Sequence, residues 1–321
     1  MSESLMQVQN LKKFFPIRSG LLSRVTAEVK AVDDVSFVIE KGNTFGLVGE
    51  SGCGKTTVGR MLAGLLEQTD GGIAMGGWRA HKLTNSMKKE LHKRVQIIFQ
   101  DPSASLNPFM TVEELIKEPL EIYKIGDRAQ QRRRVKELME MVGLPAYCLG
   151  QRTSQFSSGQ QQRVAIARAL ALEPELVVAD EPVSVLDTSA QAQILNLLLD
   201  LQQRTGISYL FISHALDVVE FISHQVGVMY LGKLVETGPK DVLFKKQLHP
   251  YTKALFSAIP TLDTKKANER IVLQGEVPSP INPPSGCYFH TRCKDATEKC
   301  RHEMPLLRQV DEKHFVACHF A

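Results

Sequence analysis

Residues 45–66, FGLVGESGCGKTTVGRMLAGLL, decide the fold. Gly49, Gly54, Lys55 and Thr56 fit the spacing G-x-x-x-x-G-K-[ST]. The apolar run TFGLV precedes it, and Thr56 to Leu66 reads as a helix. Strand, loop and helix in that order form the context in which this spacing makes a phosphate-binding loop. Glycines let backbone N–H groups turn inward around phosphate oxygens, and the helix start adds a favourable dipole. Lys55 is expected to bridge the β- and γ-phosphates of a nucleotide, and the Thr56 hydroxyl to ligate Mg2+. Ser51, Gly52, Cys53 and Thr57 complete the expected cradle, with Cys53 serving as a small residue and not as a nucleophile.

The second half of the expected site is ELVVADEP, residues 175–182. An apolar strand, Leu176 to Ala179, ends in Asp180 and Glu181, which puts two carboxylates at the carboxyl edge of a sheet, where ligands bind. Asp180 suits the magnesium shell, and Glu181 suits the general base that polarises an attacking water. Apolar segments alternate with helical patterns elsewhere, so the fold class is α/β with a largely parallel sheet. A chain of 321 residues can bury one large core, or one core with an appendage. Net charge is +4, from 39 basic against 35 acidic residues, which is too balanced to imply nucleic acid. The start of the chain has no secretory pattern, and no apolar run is long enough for a membrane span. The expected location is therefore the cytoplasm, where thiols stay reduced.

At SQFSSGQQQRVAIARAL, residues 154–170, the chain resembles the ATP-binding cassette (ABC) proteins. Phe156 to Gln160 is similar to their signature, usually L-S-G-G-Q, so Ser157, Ser158, Gly159 and Gln160 are expected to reach the ATP of a partner cassette. IIFQDP resembles the Q-loop, which gives Gln100 a role in sensing magnesium and the attacking water. SVLD, at Ser184 to Asp187, resembles the D-loop, and FISH ends in His214, which matches the switch histidine on the γ-phosphate. Phe15, or its neighbour Phe14, falls where the family places an aromatic that stacks on adenine. Ser158 departs from the usual glycine, and the partner site that it completes is expected to be slightly weakened.

The chain lacks the long heptad coiled coils of chromosome-acting cassettes, the paired cassettes of ribosome-acting ones and the fused membrane helices of exporters. FQDPSASLNPFMTV (99–112), HPYTKAL (249–255) and GEVPSPINPPSGCYFHTRC (275–293) together resemble the ATPase subunits of oligopeptide and dipeptide importers. That resemblance implies a P-loop ABC domain over residues 1–245 and an oligopeptide/dipeptide-transporter-type C-terminal region over 246–321. The composition change that marks this junction falls broadly across 235–265. A helical subdomain is expected at about 101–170, its stretch to about 150 receiving the coupling helices of membrane subunits. The implied partners are a second, related ABC ATPase in a heterodimer, two integral membrane permeases and, indirectly, an extracytoplasmic solute-binding protein. The implied place is the cytoplasmic face of the membrane. Relatives in this group that move nickel, glutathione or other small solutes, and non-transport ABC ATPases, are the alternatives.

Four of the six cysteines lie in the tail: Cys287, Cys293, Cys300 and Cys318. Their spacing lacks the close pairs of structural zinc sites, while four thiolates suit an iron–sulfur cluster. The importers that the chain resembles include members whose tail binds a 4Fe–4S cluster, so a cluster is the expectation here. Zn2+, with His290, His302, His314 or His319 as a substitute ligand, and unligated thiols are the alternatives.

Overall fold

The computed structural model describes residues 3–20, 23–76, 78–80, 84–259 and 271–321. Strands β1 (Ser4–Ser19), β2 (Arg24–Glu40) and β3 (Thr44–Val48) lead into helix α1 (Lys55–Leu62). Next come β4 (Asp70–Met75), β5 (Trp78–Ala80), α2 (Asn85–Arg94) and β6 (Val95–Ile98). A helical stretch follows: α3 (Pro102–Ser105), α4 (Val112–Ile122), α5 (Arg128–Met141) and α6 (Ser158–Leu170). The chain then alternates through β7 (Leu176–Asp180), α7 (Thr188–Thr205), β8 (Ser208–Ile212), α8 (Leu216–Ile222), β9 (Gln225–Tyr230) and β10 (Lys233–Pro239). Helices α9 (Lys240–Lys245) and α10 (Pro250–Phe256), a short helix over Glu298–His302, and strands β11 (Arg308–Asp311) and β12 (His314–Val316) complete it.

Every residue of β3, β7 and β8 is buried. Their continuous apolar runs mark strands covered on both faces, as in a parallel sheet wrapped by helices. They lie in an eight-stranded sheet of order β11-β12-β10-β9-β3-β8-β7-β6, in which β9, β3, β8, β7 and β6 run parallel. The register aligns the site. Leu47 of β3 pairs with Ile212 of β8, and Ile212 pairs with Asp180 of β7. The ends of three strands therefore stand level at one carboxyl edge.

The expected largely parallel sheet is present, and a second sheet accompanies it. A separate antiparallel sheet of order β2-β1-β4-β5 covers one side. Repeated register shifts along β1 and β2 break the period-two pattern that would announce them in sequence. A core of β3, α1 and this antiparallel sheet includes Met6, Leu11, Phe45 and Val58. The other core runs from the helical stretch through α7 to Tyr251 and Phe289 in the tail.

Helices α4, α5 and α6 each begin with a reciprocal side-chain cap, Thr111 with Glu114, Asp127 with Gln130 and Ser157 with Gln160. Such boxes satisfy the free N–H groups of a helix start and fix where it begins. The tail is joined to the main sheet through β12, which pairs with β10.

Candidate functional site

The loop between β3 and α1 bends because glycine stands where no other residue fits. Gly49 has φ 149° and Gly54 φ 106°. A Cβ at Gly49 would lie 2.2 Å from the Met229 carbonyl oxygen, and one at Gly54 2.1 Å from that of Ala31. Lys55 is buried and its Nζ donates to the carbonyls of Gly49 (2.8 Å) and Glu50 (3.1 Å). The ammonium is thus drawn across the concavity of its own loop. Cys53 is buried beside Lys55, and burial pushes its thiol pKa up although the ammonium opposes this. A protonated thiol is a poor nucleophile, which fits its reading as a small residue. Ser51 and Gly52 are exposed at the loop crest, and Thr57 lies partly buried in the first turn of α1.

Two side chains from distant segments meet beside the loop. The Thr56 hydroxyl donates to Asp180 Oδ1 at 2.9 Å. Burial raises the Asp180 pKa, and the Thr56 hydrogen bond pulls it back. A hydroxyl and a carboxylate presented together are a donor set of hard oxygens, the kind that Mg2+ takes.

Glu181 follows Asp180 in a left-handed conformation, φ 48°, which is uncommon for a non-glycine residue. Its N–H donates to the Ile212 carbonyl at 3.0 Å, tying the turn to β8. That turn aims the side chain at two others. Gln100 Nε2 donates to Glu181 Oε2 at 3.0 Å, and His214 Nδ1 lies 3.2 Å from the same oxygen. Among the described residues the other carboxylate oxygen accepts no hydrogen bond, which leaves it for a further proton donor. Strain at a site of this kind is held by its surroundings, here the register of β7 and β8.

Ser157, Ser158, Gly159 and Gln160 stand at the start of α6 and are joined among themselves by the Ser157–Gln160 cap. Among the described residues no hydrogen bond joins them to the phosphate loop of their own chain. Ser158 is exposed in ordinary helical backbone, so its side chain crowds nothing in this chain. Asp187, expected in a D-loop, caps α7 by accepting from the Ala190 N–H at 2.9 Å. Phe15 is exposed on β1 with the Lys13 ammonium 5.1 Å from its ring, and Phe14 has Lys30 at 5.9 Å.

The expectation for the tail cysteines requires correction. Cys287, Cys293, Cys300 and Cys318 line one cavity of about 170 Å³ with His290 and His319. Yet among the described residues no three His, Cys, Asp or Glu side chains are arranged to hold a metal ion. Among the described residues neither the 4Fe–4S cluster nor the Zn2+ alternative is given a site. Burial pushes the Cys287 thiol up to about 11 and raises that of Cys293. Cys287 and Cys293 pack against the main core as small apolar groups.

The motifs alone do not reveal Glu50 of this loop or its two partners from the tail. Tyr251 and Arg292 both bond to Glu50 of the phosphate loop. Tyr251 lies in HPYTKAL and Arg292 in FHTRC, stretches that drew notice only for their resemblance.

Comparison with known proteins agrees with this geometry. The family model described as ABC transporter matches residues 32–184. That of the oligopeptide/dipeptide transporter C-terminal region matches 235–300. The oligopeptide transport ATP-binding protein AppF of Bacillus subtilis is 48% identical over 320 residues, 99% of this chain and 97% of that protein. The dipeptide transport ATP-binding protein DppF of Haemophilus influenzae is 48% identical over 314 residues, 98% of this chain and 97% of that one. Among solved structures, the dimeric post-hydrolysis state of the ATP-binding cassette MJ0796 bound to ADP and Pi superposes with a TM-score of 0.65. It is 25% identical and covers 73% of this chain and 98% of that one.

Proposed function

The chain belongs to the ABC transporter family, among its oligopeptide and dipeptide transport ATP-binding proteins, and from that premise we propose how its residues power uptake. It is the ATP-hydrolysing subunit of a peptide importer. ATP sits with its phosphates in the loop 49–56, where Lys55 and the loop N–H groups take the β- and γ-phosphates. Thr56 and Asp180 hold the accompanying Mg2+, which neutralises charge on the phosphates. Glu181 accepts a proton from the water that attacks the γ-phosphoryl group, while Gln100 and His214 fix the carboxylate and line the γ-phosphate side. Phe15 supports the adenine ring.

The observation that best supports this reading is the meeting of Gln100, Glu181 and His214 at one carboxylate oxygen, level with the phosphate loop. Side chains from three separate segments have no structural reason to share one partly exposed oxygen at a sheet edge. Their positions suit a water held at the end of a triphosphate.

Ser157 to Gln160 serve a second cassette, whose signature in turn completes this chain's site. ATP therefore joins the two cassettes, and hydrolysis parts them. The partner is a related but different cassette. Two membrane permeases dock on the helical subdomain, about 101–170. Phe109 and Tyr147, 78% and 71% exposed, offer apolar surface there. No helix among the described residues is long and apolar enough to cross a membrane. The chain works at the cytoplasmic face, held by the permeases, which take peptide delivered by an extracytoplasmic binding protein.

The test is purification of the tagged chain from detergent-solubilised membranes. The expected result is co-purification of two integral membrane proteins and a second cassette, with ATP hydrolysis that Glu181→Gln abolishes. Recovery of the chain without any membrane protein would overturn the importer reading.

A further inference from the structure

Glu50 is the one acidic residue in the loop GESGCG, residues 49–54, and all three of its polar groups are engaged. Its N–H donates to the Tyr251 hydroxyl at 2.9 Å. Its carbonyl accepts from Lys55. Its carboxylate accepts two hydrogen bonds from Arg292, at 2.8 and 3.2 Å, one on each oxygen. Two of these partners come from the C-terminal region, 201 and 242 residues away in sequence.

Arg292 is seated in a buried aromatic cluster. Its side chain is 8% exposed, against 29% for Glu50. The guanidinium lies 5.9 Å from the ring of Tyr230, at the end of β9. Tyr230 packs at 4.7 Å on Tyr251 and edge-on, at 5.2 Å, on Phe289. Desolvation favours a neutral Arg292, but Glu50 and Tyr230 together outweigh it and raise its pKa further. A planar fork on a planar carboxylate is the strong form of such a pair.

We propose that Arg292 is a positioning residue for nucleotide binding, which neutralises and fixes the only carboxylate carried by the phosphate loop. The inference rests on the reading of residues 49–56 as that loop. An unpaired anion in a loop that must accept a triphosphate repels it, and partial burial keeps solvent from screening the repulsion. The C-terminal region thereby acts on ATP affinity through charge as well as through packing. Tyr251 assists by holding the Glu50 N–H, which orients the carboxylate toward the arginine.

The test titrates the purified full-length chain with a fluorescent trinitrophenyl-ATP, alongside steady-state hydrolysis and thermal unfolding. Arg292→Gln is expected to weaken nucleotide binding roughly tenfold, in line with coupled neighbouring residues. The change should fall on the KM for ATP and leave kcat within about twofold. Adding Glu50→Gln to that variant removes the uncompensated charge and should restore affinity to within about threefold of the unsubstituted chain. Glu50→Gln alone should bind at least as tightly as the unsubstituted chain. Because that variant leaves Arg292 in place, it decides the matter even if Arg292→Gln fails to fold. Unchanged affinity in Arg292→Gln, a double variant no better than Arg292→Gln, or weaker binding by Glu50→Gln would each overturn the inference. A purely structural pairing would lower the melting temperature without that charge-dependent rescue. If the unsubstituted chain binds no nucleotide, the phosphate-loop reading itself falls and takes this inference with it.

Discussion

Replacing Glu181 by glutamine separates chemistry from binding more sharply than any other single change. Gln100 Nε2 and His214 Nδ1 both address one oxygen of Glu181, at 3.0 and 3.2 Å. A glutamine that puts its amide oxygen there keeps both contacts. Its NH2 group then stands where the free carboxylate oxygen stood, and an NH2 group donates protons but cannot take one from water. The side chain is 17% exposed and keeps its volume, so the folded state loses little. The expected change in stability is within about 0.5 kcal/mol. Loss of a general base lowers the rate by about 10²- to 10⁴-fold, equivalent to roughly 3–5 kcal/mol in the barrier. Nothing in the substitution touches Lys55, Thr56 or Asp180, so ATP affinity should stay within about threefold. The assay is single-turnover hydrolysis of radiolabelled ATP with binding measured in parallel. A variant that hydrolyses within about tenfold of the parent would refute the general-base role of Glu181.

Three further outcomes follow from the same geometry. Gly49→Ala puts a Cβ 2.2 Å from the Met229 carbonyl at a φ that only glycine adopts freely. It should destabilise the chain by roughly 2–4 kcal/mol and abolish nucleotide binding, as read by thermal unfolding and ATP titration. Ser158→Gly tests whether that departure from the family signature weakens the partner's site: faster hydrolysis by the assembled complex would support the weakening, and an unchanged rate would remove it. His249 is buried, its Nδ1 accepts the Tyr251 N–H at 3.0 Å, and burial pushes its pKa from 6.5 down to about 3. Because the unfolded chain takes up this proton first, the stabilising effect is complete above pH 6.5 and is lost as pH falls from there toward 3. The loss should reach about 2 kcal/mol by pH 5, and His249→Asn, which keeps the helix cap without the titration, should flatten that slope.

Much of the fold can be read from the chain because its central strands state their environment. TFGLV, LVVAD and SYLFI are apolar but for Thr44, Asp180 and Ser208 at their ends, and buried along their whole length, the mark of strands covered on both faces. The segments that meet at Glu181 are short motifs at fixed offsets from such strands, so their convergence follows from the sheet register. The antiparallel sheet of β1, β2, β4 and β5 was hidden because bulges scramble its alternation. The Arg292–Glu50 pair was hidden for another reason. It spans 242 residues, and neither side chain signals its partner by spacing. The tail cysteines misled in the opposite sense. Their clustering in sequence is real, and they do share one cavity, but among the described residues proximity does not supply the converging set of donors that a cluster requires.

The central claim is that hydrolysis at this site drives peptide uptake. The most direct measurement is accumulation of labelled di- and oligopeptides by cells lacking the native gene and supplied with either the parent chain or Glu181→Gln. The account predicts uptake with the parent chain and none with the variant, at equal amounts of each protein in the membrane fraction. Equal uptake with both chains, or peptide uptake unaffected by loss of the gene, would contradict it.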